Sequence, residues 1–92
     1  MKINVEYVAQ MKKVAGINSE TVTLPDGAPV QALVTKLADD HDQPFRDVLL
    51  DANASLRKST LVFIGDDQIE WEVLRELADG DRVTILAPLA GG

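Results

Sequence analysis

The 92 residues give room for one domain and not two. Hydrophobic residues make up 46% and charged residues 26%, a globular balance, and no apolar run approaches the roughly 20 residues that a membrane span needs. The net charge of −6 sets the surface against nucleic acid and anionic lipid, and the absence of cysteine excludes disulfides, thiolate metal sites and a cysteine nucleophile. That charge serves solubility, or steers the protein towards a basic patch on another protein. The opening residues, Met1 to Glu6, lack the long apolar segment and small-residue cleavage site of a secretory leader, so the expected compartment is the cytoplasm.

Lys2 to Val8 reads as a first strand, with Ile3, Val5 and Tyr7 on one side and Lys2, Asn4 and Glu6 on the other. Val8 breaks the pattern, because by parity it is an apolar residue facing outward. Ala9 to Ala15 suits one or two helical turns closed by Gly16 as a C-cap. Asn18 to Leu24 reads as a second strand, in which Val22 and Leu24 alternate with Thr21 and Thr23. The two strands should pair antiparallel across a wide connection. Pro25-Asp26-Gly27-Ala28-Pro29 is a turn cluster that places Pro29 where a helix begins.

The clearest helix follows. Val30, Leu33, Val34, Leu37 and Ala38 fall at i, i+3, i+4, i+7 and i+8, a single apolar stripe opposite Gln31, Lys36, Asp39 and Asp40. Pro44 to Leu50 fits a shorter helix with Phe45, Val48 and Leu49 inward, and polar Asp51 to Ser59 fits a loop. Thr60 to Ile64 is a continuous apolar strand suited to the sheet interior. Gly65 to Gln68 reads as a turn, Ile69 to Trp71 as a short paired strand, and Val73 to Leu77 as a helical turn broken at Ala78-Asp79-Gly80-Asp81. The last strand, Arg82 to Leu86, buries Val83 and Ile85 and leaves Leu86 facing outward, as Val8 does.

One amphipathic helix across one face of a mixed four- or five-stranded sheet buries the stripe of Val30, Leu33, Val34 and Leu37. This α+β arrangement is the β-grasp. The expected division is a β-grasp domain over 1–87 and a flexible Gly-Gly tail over 88–92. Pro88 removes a backbone donor and discourages sheet pairing, and Leu89, Ala90, Gly91 and Gly92 have little to bury. Extended, the five residues from Pro88 span at most about 17 Å. Without Cβ atoms, Gly91 and Gly92 can thread a channel that larger residues would block. A frayed end that happens to be Gly-Gly is the plainer alternative.

The sequence also resembles the small β-grasp sulfur carriers, such as the small subunit of molybdopterin synthase (MoaD) and the thiamine-pathway carrier ThiS. The resemblance covers nearly the whole chain. It is most specific in Asp79-Gly80-Asp81-Arg82-Val83, then Ala87-Pro88-Leu89-Ala90 and the terminal Gly91-Gly92. Tyr7-Val8-Ala9-Gln10, Val14-Ala15-Gly16 and Val30-Gln31-Ala32-Leu33 add to it. The chain departs from the family at Gly65-Asp66-Asp67, where many members have an Asn-Gly-type turn. It departs again at Ile85-Leu86-Ala87-Pro88, where molybdopterin-type members often carry paired aromatics and two prolines.

The resemblance implies a carrier, or the small subunit of a synthase, and not a catalyst. The carboxylate of Gly92 would be adenylated by an ATP-consuming adenylyltransferase that resembles ubiquitin-activating enzymes. Sulfur from a sulfurtransferase or cysteine desulfurase would then give a thiocarboxylate for a sulfur-accepting synthase. Gly91 is the steric permit beside it. The resemblance implies no intrinsic cofactor or metal, since ATP belongs to the partner. Val8, Leu86, Pro88, Leu89 and Ala90 are the expected partner-binding residues. Two other readings stay open: a ubiquitin-like modifier that forms isopeptide bonds through Gly92, and a non-reacting β-grasp binding module. His41, beside Asp39, Asp40 and Asp42, suits a helix C-terminus better than a cation site. Glu70 and Glu72 suit a solvated edge, Trp71 a semi-buried anchor, and Lys12, Lys13 and Lys36 are possible conjugation targets only as any exposed lysine is.

Overall fold

A computed structural model describes residues 1–88; Leu89, Ala90, Gly91 and Gly92 lie outside the described residues, and with them most of the expected tail. Five strands and three helices follow in the order β1 (Lys2–Ala9), α1 (Gln10–Ala15), β2 (Ser19–Thr23), α2 (Val30–Asp40), α3 (Gln43–Leu49), β3 (Leu61–Ile64), β4 (Asp67–Gln68) and β5 (Arg82–Ala87). The sheet order is β2-β1-β5-β3-β4. β1 and β5 pair in parallel at its centre, and every other pairing is antiparallel. This is the expected mixed sheet, with five strands.

Alternation in the strands decides which face the helices cover. Ile3, Val5 and Tyr7 of β1, Val62 of β3, and Val83 and Ile85 of β5 are buried against the α2 stripe of Val30, Leu33, Val34, Leu37 and Ala38. Phe45 and Leu49 of α3 and Met11 of α1 close the same core. α1 ends at Gly16, whose φ of 73° lets its N–H reach the Lys12 carbonyl in a left-handed C-cap. α3 starts at Asp42, whose side chain accepts from the Phe45 N–H.

The Asp79-Gly80-Asp81 turn sets the register of the central pair. The Lys2 N–H donates to the Asp79 carboxylate at 2.7 Å, the Gly80 N–H donates to the Lys2 carbonyl, and the Asn4 N–H donates to the Asp81 carbonyl. Asp81 also accepts the Ala78 N–H at 2.8 Å. The turn therefore fastens the start of β5 to the start of β1, with Gly80 at a φ of 85° between the two acidic residues.

Three local expectations are corrected. Asp67 and Gln68 pair with Ile64 and Phe63 as β4, so the turn is confined to Gly65 and Asp66. Ile69 to Trp71 forms no strand, although the Ile69 N–H bonds the Val62 carbonyl and Ile69 is buried. Val73 to Leu77 is not helical. The Gln31 side chain takes this segment over by donating to the Trp71 and Val73 carbonyls and accepting the Arg75 N–H, while Glu76 bridges to Pro29. These partners come from a helix some 40 residues away in sequence, and they outweigh the weak helical preference of one short segment.

Two measurements test this frame. A Cβ on Gly80 would meet no atom within 4 Å, so Gly80→Ala should cost only its left-handed conformation, about 1–2 kcal/mol by urea denaturation. Tyr7, the sole tyrosine, is buried and donates its hydroxyl to Glu20 at 2.5 Å. Burial first, then that hydrogen bond and the carboxylate's charge, push its pKa well above the ordinary 10.0. The folded chain then keeps a proton that the unfolded chain loses. The resulting stability is present below about pH 10 and declines above it, by at most about 1.4 kcal/mol per pH unit. Tyrosinate absorbance should therefore stay absent from the folded protein at pH 11 and appear only with unfolding, and Tyr7→Phe should remove this part of the decline.

Candidate functional site

The site is the end of β5 and the uncovered face of the sheet beside it. Ala87 is the last residue of the strand, buried and in register with Ala9, and exposed Pro88 follows it. The tail root is thus held in the middle of the sheet between β1 and β3. Pro88 has no N–H to donate, which ends the ladder there. At Ala9 the chain leaves β1 for α1 through a φ of 57° and a ψ of −124°, a conformation that costs a non-glycine residue on the order of 1–3 kcal/mol. This turn carries α1 off the end of the sheet beside the tail root.

Register places the outward side chains in rows. Leu86 lies between Val8 on β1 and Leu61 on β3, and in the next row Thr84 lies between Glu6 and Phe63. Val8 is 36% exposed, and Leu86, Leu61 and Phe63 are half-buried. Among the described residues no helix covers these four, and they form one apolar patch beside the end of β5. Further along the same face the patch gives way to Asn4, Lys2 and the Arg82–Glu6 ion pair at 3.5 Å.

Val8 and Leu86 fall where the sequence places them and are brought together, with Pro88 one residue beyond the strand. Leu89, Ala90, Gly91 and Gly92 lie outside the described residues. Leu61 and Phe63 are the residues that sequence reasoning missed. A continuous apolar run suggested a strand buried on both faces, whereas only Val62 and, in part, Ile64 pack on the core. The parity of Leu61 and Phe63 against Val62 was the available signal.

The other candidates resolve into structure. His41 caps α2, stacks on Phe45 with ring centroids 4.0 Å apart, and sets Nε2 2.6 Å from the Glu20 carboxylate oxygen that also accepts the Tyr7 hydroxyl. Its partner is thus on β2 and not among Asp39, Asp40 and Asp42. Among the described residues no three His, Asp or Glu side chains gather as a metal site would require. Trp71 is half-buried against the core, as a semi-buried anchor should be, while Glu70 and Glu72 beside it are exposed and lie on no strand. Every buried polar side-chain atom among the described residues has a hydrogen-bond partner. Among these residues no helix is long and apolar enough to cross a membrane.

Comparison with known proteins agrees with this geometry. Residues 5–92 match the model of the ThiS family. The molybdopterin synthase sulfur carrier subunit of Chlamydomonas reinhardtii is 33% identical over 92 residues, covering 100% of both chains. Among solved structures, SAMP1 from Haloferax volcanii superposes with a TM-score of 0.87 at 18% identity, covering 100% of each chain, which is a likeness of fold. A putative molybdopterin converting factor, subunit 1, from Pyrococcus furiosus gives a TM-score of 0.75 at 27% identity, covering 97% of this chain and 99% of that one.

The division between the two faces of β5 is directly testable. Leu86→Asp sits on the uncovered face and should lower the unfolding free energy by no more than about 1 kcal/mol. Ile85→Asp, one residue away, would bury an unpaired carboxylate and should leave no folded protein in circular dichroism.

Proposed function

Since the chain belongs to the ThiS family, we propose that it works as a sulfur carrier whose reacting group is the carboxylate of Gly92. The observation that carries this reading is the anchored root: a central strand fixed by pairing on both sides ends at Pro88, four residues before Gly92, next to an uncovered apolar patch. A carboxylate is a poor electrophile because its charge is delocalised and it has no good leaving group. An adenylyltransferase partner supplies the activation. The Gly92 carboxylate attacks the α-phosphate of ATP, pyrophosphate leaves, and an acyl adenylate forms. A sulfide or persulfide sulfur then adds to the acyl carbon and AMP departs. With a persulfide donor, a thiol reduces the resulting S–S bond, and in either case a thiocarboxylate remains.

In this scheme the folded domain contributes no acid, base or metal ligand. It presents the end of the chain, and it takes up ATP chemistry only through its partner. Gly91 keeps the segment before the reacting carbon narrow enough for a channel, while Pro88, Leu89 and Ala90 line the approach. Val8, Leu61, Phe63 and Leu86 form the surface on which an adenylyltransferase, and afterwards a sulfur-accepting synthase, would dock. The relative in Chlamydomonas reinhardtii, named as a subunit of a synthase, supports the second partner. The use of ATP suits a cytoplasmic carrier.

Intact-mass measurement of the protein from its native host tests the scheme. We expect a fraction heavier by the exchange of one oxygen for one sulfur, localised to Gly92, and lost in a variant lacking Gly92. Higher-mass conjugates to lysines of other proteins, with no exchange, would assign the chain as a modifier instead. Neither species would leave a binding module whose Gly-Gly end is incidental.

A further inference from the structure

The net charge of −6 is not spread over the molecule. Residues 66–81 hold seven carboxylates against one arginine and carry the whole of it. The three segments that converge on the tail root contain none. From Tyr7 to Ser19, from Ala52 to Gly65 and from Arg82 to Pro88 there is no Asp or Glu, while the first two hold Lys12, Lys13, Arg57 and Lys58. Lys12 and Lys13 lie three and four residues past Ala9, which pairs with Ala87. They line a groove of about 280 Å³ with Ala9 and exposed Ile17. Arg57 and Lys58 precede Leu61, which pairs with Leu86, and line a groove on that side in which Glu72 is the one carboxylate. Chain geometry keeps all four Cα atoms within roughly 20 Å of the tail root.

These cations also differ from most others in their partners. Lys36, Arg46, Arg75 and Arg82 are each ion-paired, to Asp40, Asp39, Asp67 and Glu6. Lys12, Lys13, Arg57 and Lys58 are exposed and form no ion pair among the described residues. Arg57 is tied only to the Asp47 carbonyl, through its Nε.

We infer that Lys12, Lys13, Arg57 and Lys58 form a cationic collar around the tail root, and that the activating partner meets it with an acidic rim around an apolar socket. This inference rests on the proposed sulfur-carrier reading and adds the partner's chemistry to it. It reverses what the net charge alone suggests, since the molecule is acidic but its docking end is basic. Asp79 and Asp81 fasten the last part of the acidic 66–81 segment to the other end of the central strands, and Asp66 lies in the turn at that same end. An acidic partner surface would therefore repel that end and attract the tail, orienting the carrier before contact. The apolar patch favours a protein as occupant over a phosphate polymer, because a polyanion would leave Val8, Leu61 and Phe63 uncovered.

Stopped-flow association of the full chain with the host's purified adenylyltransferase, from low to high salt, tests the inference. Association should slow as salt rises, and Lys12→Glu with Lys13→Glu should slow it about tenfold at low salt. Arg57→Glu with Lys58→Glu should act alike, and Asp66→Lys with Glu70→Lys should not slow it. Unchanged melting temperatures would show that these exposed substitutions leave the fold intact. A rate that is independent of salt or rises with it, or collar variants that bind as fast as the parent, would overturn the inference. So would binding of single-stranded RNA that is lost in the same variants. The sulfur-carrier reading is scored separately, by ATP–pyrophosphate exchange with saturating parent protein in high salt. Exchange without the salt and charge effects rejects the collar alone, and no exchange rejects the reading on which it rests.

Discussion

The parallel pairing of β1 with β5 is the constraint from which the rest of the architecture follows. The two strands lie at opposite ends of the chain, so β2, β3 and β4 must pair outside this central pair, and the chain must cross from the β2 edge to the β3 side without entering between β1 and β5. One long helix packed across a single face satisfies that requirement and uses its apolar stripe to bury the inward side chains of both strands. The pairing is fixed at its start by Asp79, Gly80 and Asp81, whose hydrogen bonds to Lys2 and Asn4 leave one register available. A slip of one residue would move Thr84 and Leu86 onto the core face and Ile85 into water. The acidic-glycine-acidic motif is therefore a register clamp, and it acts at the end of the strand away from the tail.

Most of this could be read along the chain, because the strong signals were local. The five-residue stripe of α2, the alternation in β1, β2 and β5, and Gly16 at a left-handed helix end each report a period or a dihedral that needs no knowledge of the rest of the fold. The outward apolar pair Val8 and Leu86 was legible for the same reason, as a break in parity. What stayed hidden depends on distant partners. Gln31 holds Trp71, Val73 and Arg75 out of helix, and nothing near residue 73 announces that contact. Likewise, His41 turns from its neighbouring aspartates to Glu20 because β2 passes beneath the end of α2 and Phe45 supplies a ring to stack on. Leu61 and Phe63 were obscured by the run that contains them: four consecutive apolar residues report burial but not which face is covered.

Polar groups inside the described domain are used up in holding it together. Glu20 receives both the Tyr7 hydroxyl and the His41 ring nitrogen, Thr60 donates to the Val48 carbonyl, and Gln31 satisfies three backbone groups of one loop. A catalytic residue is generally recognisable as a group held in an environment that leaves it poised to react. The Tyr7 hydroxyl is held in the opposite way, with its proton bound more firmly than in water. In the proposed scheme these groups hold the fold, and the reaction takes place at the chain's end, inside another protein's site.

In the proposed scheme, reach decides where the partner must sit. Five residues from Pro88 to Gly92 extend at most about 17 Å, so the partner's reacting atoms would lie within that radius of a root buried in the sheet centre. A stable docking surface of ordinary size covers about 800 Å² on each partner, which is more than four side chains can supply. The partner would therefore cover Val8, Leu61, Phe63 and Leu86 together with the residues around them, among which are Lys12, Lys13, Arg57 and Lys58. The short tail thus ties recognition to chemistry. A protein able to receive Gly92 has to accommodate the apolar patch and its charged surroundings at the same time, and one that matches only the tail cannot come close enough to use it.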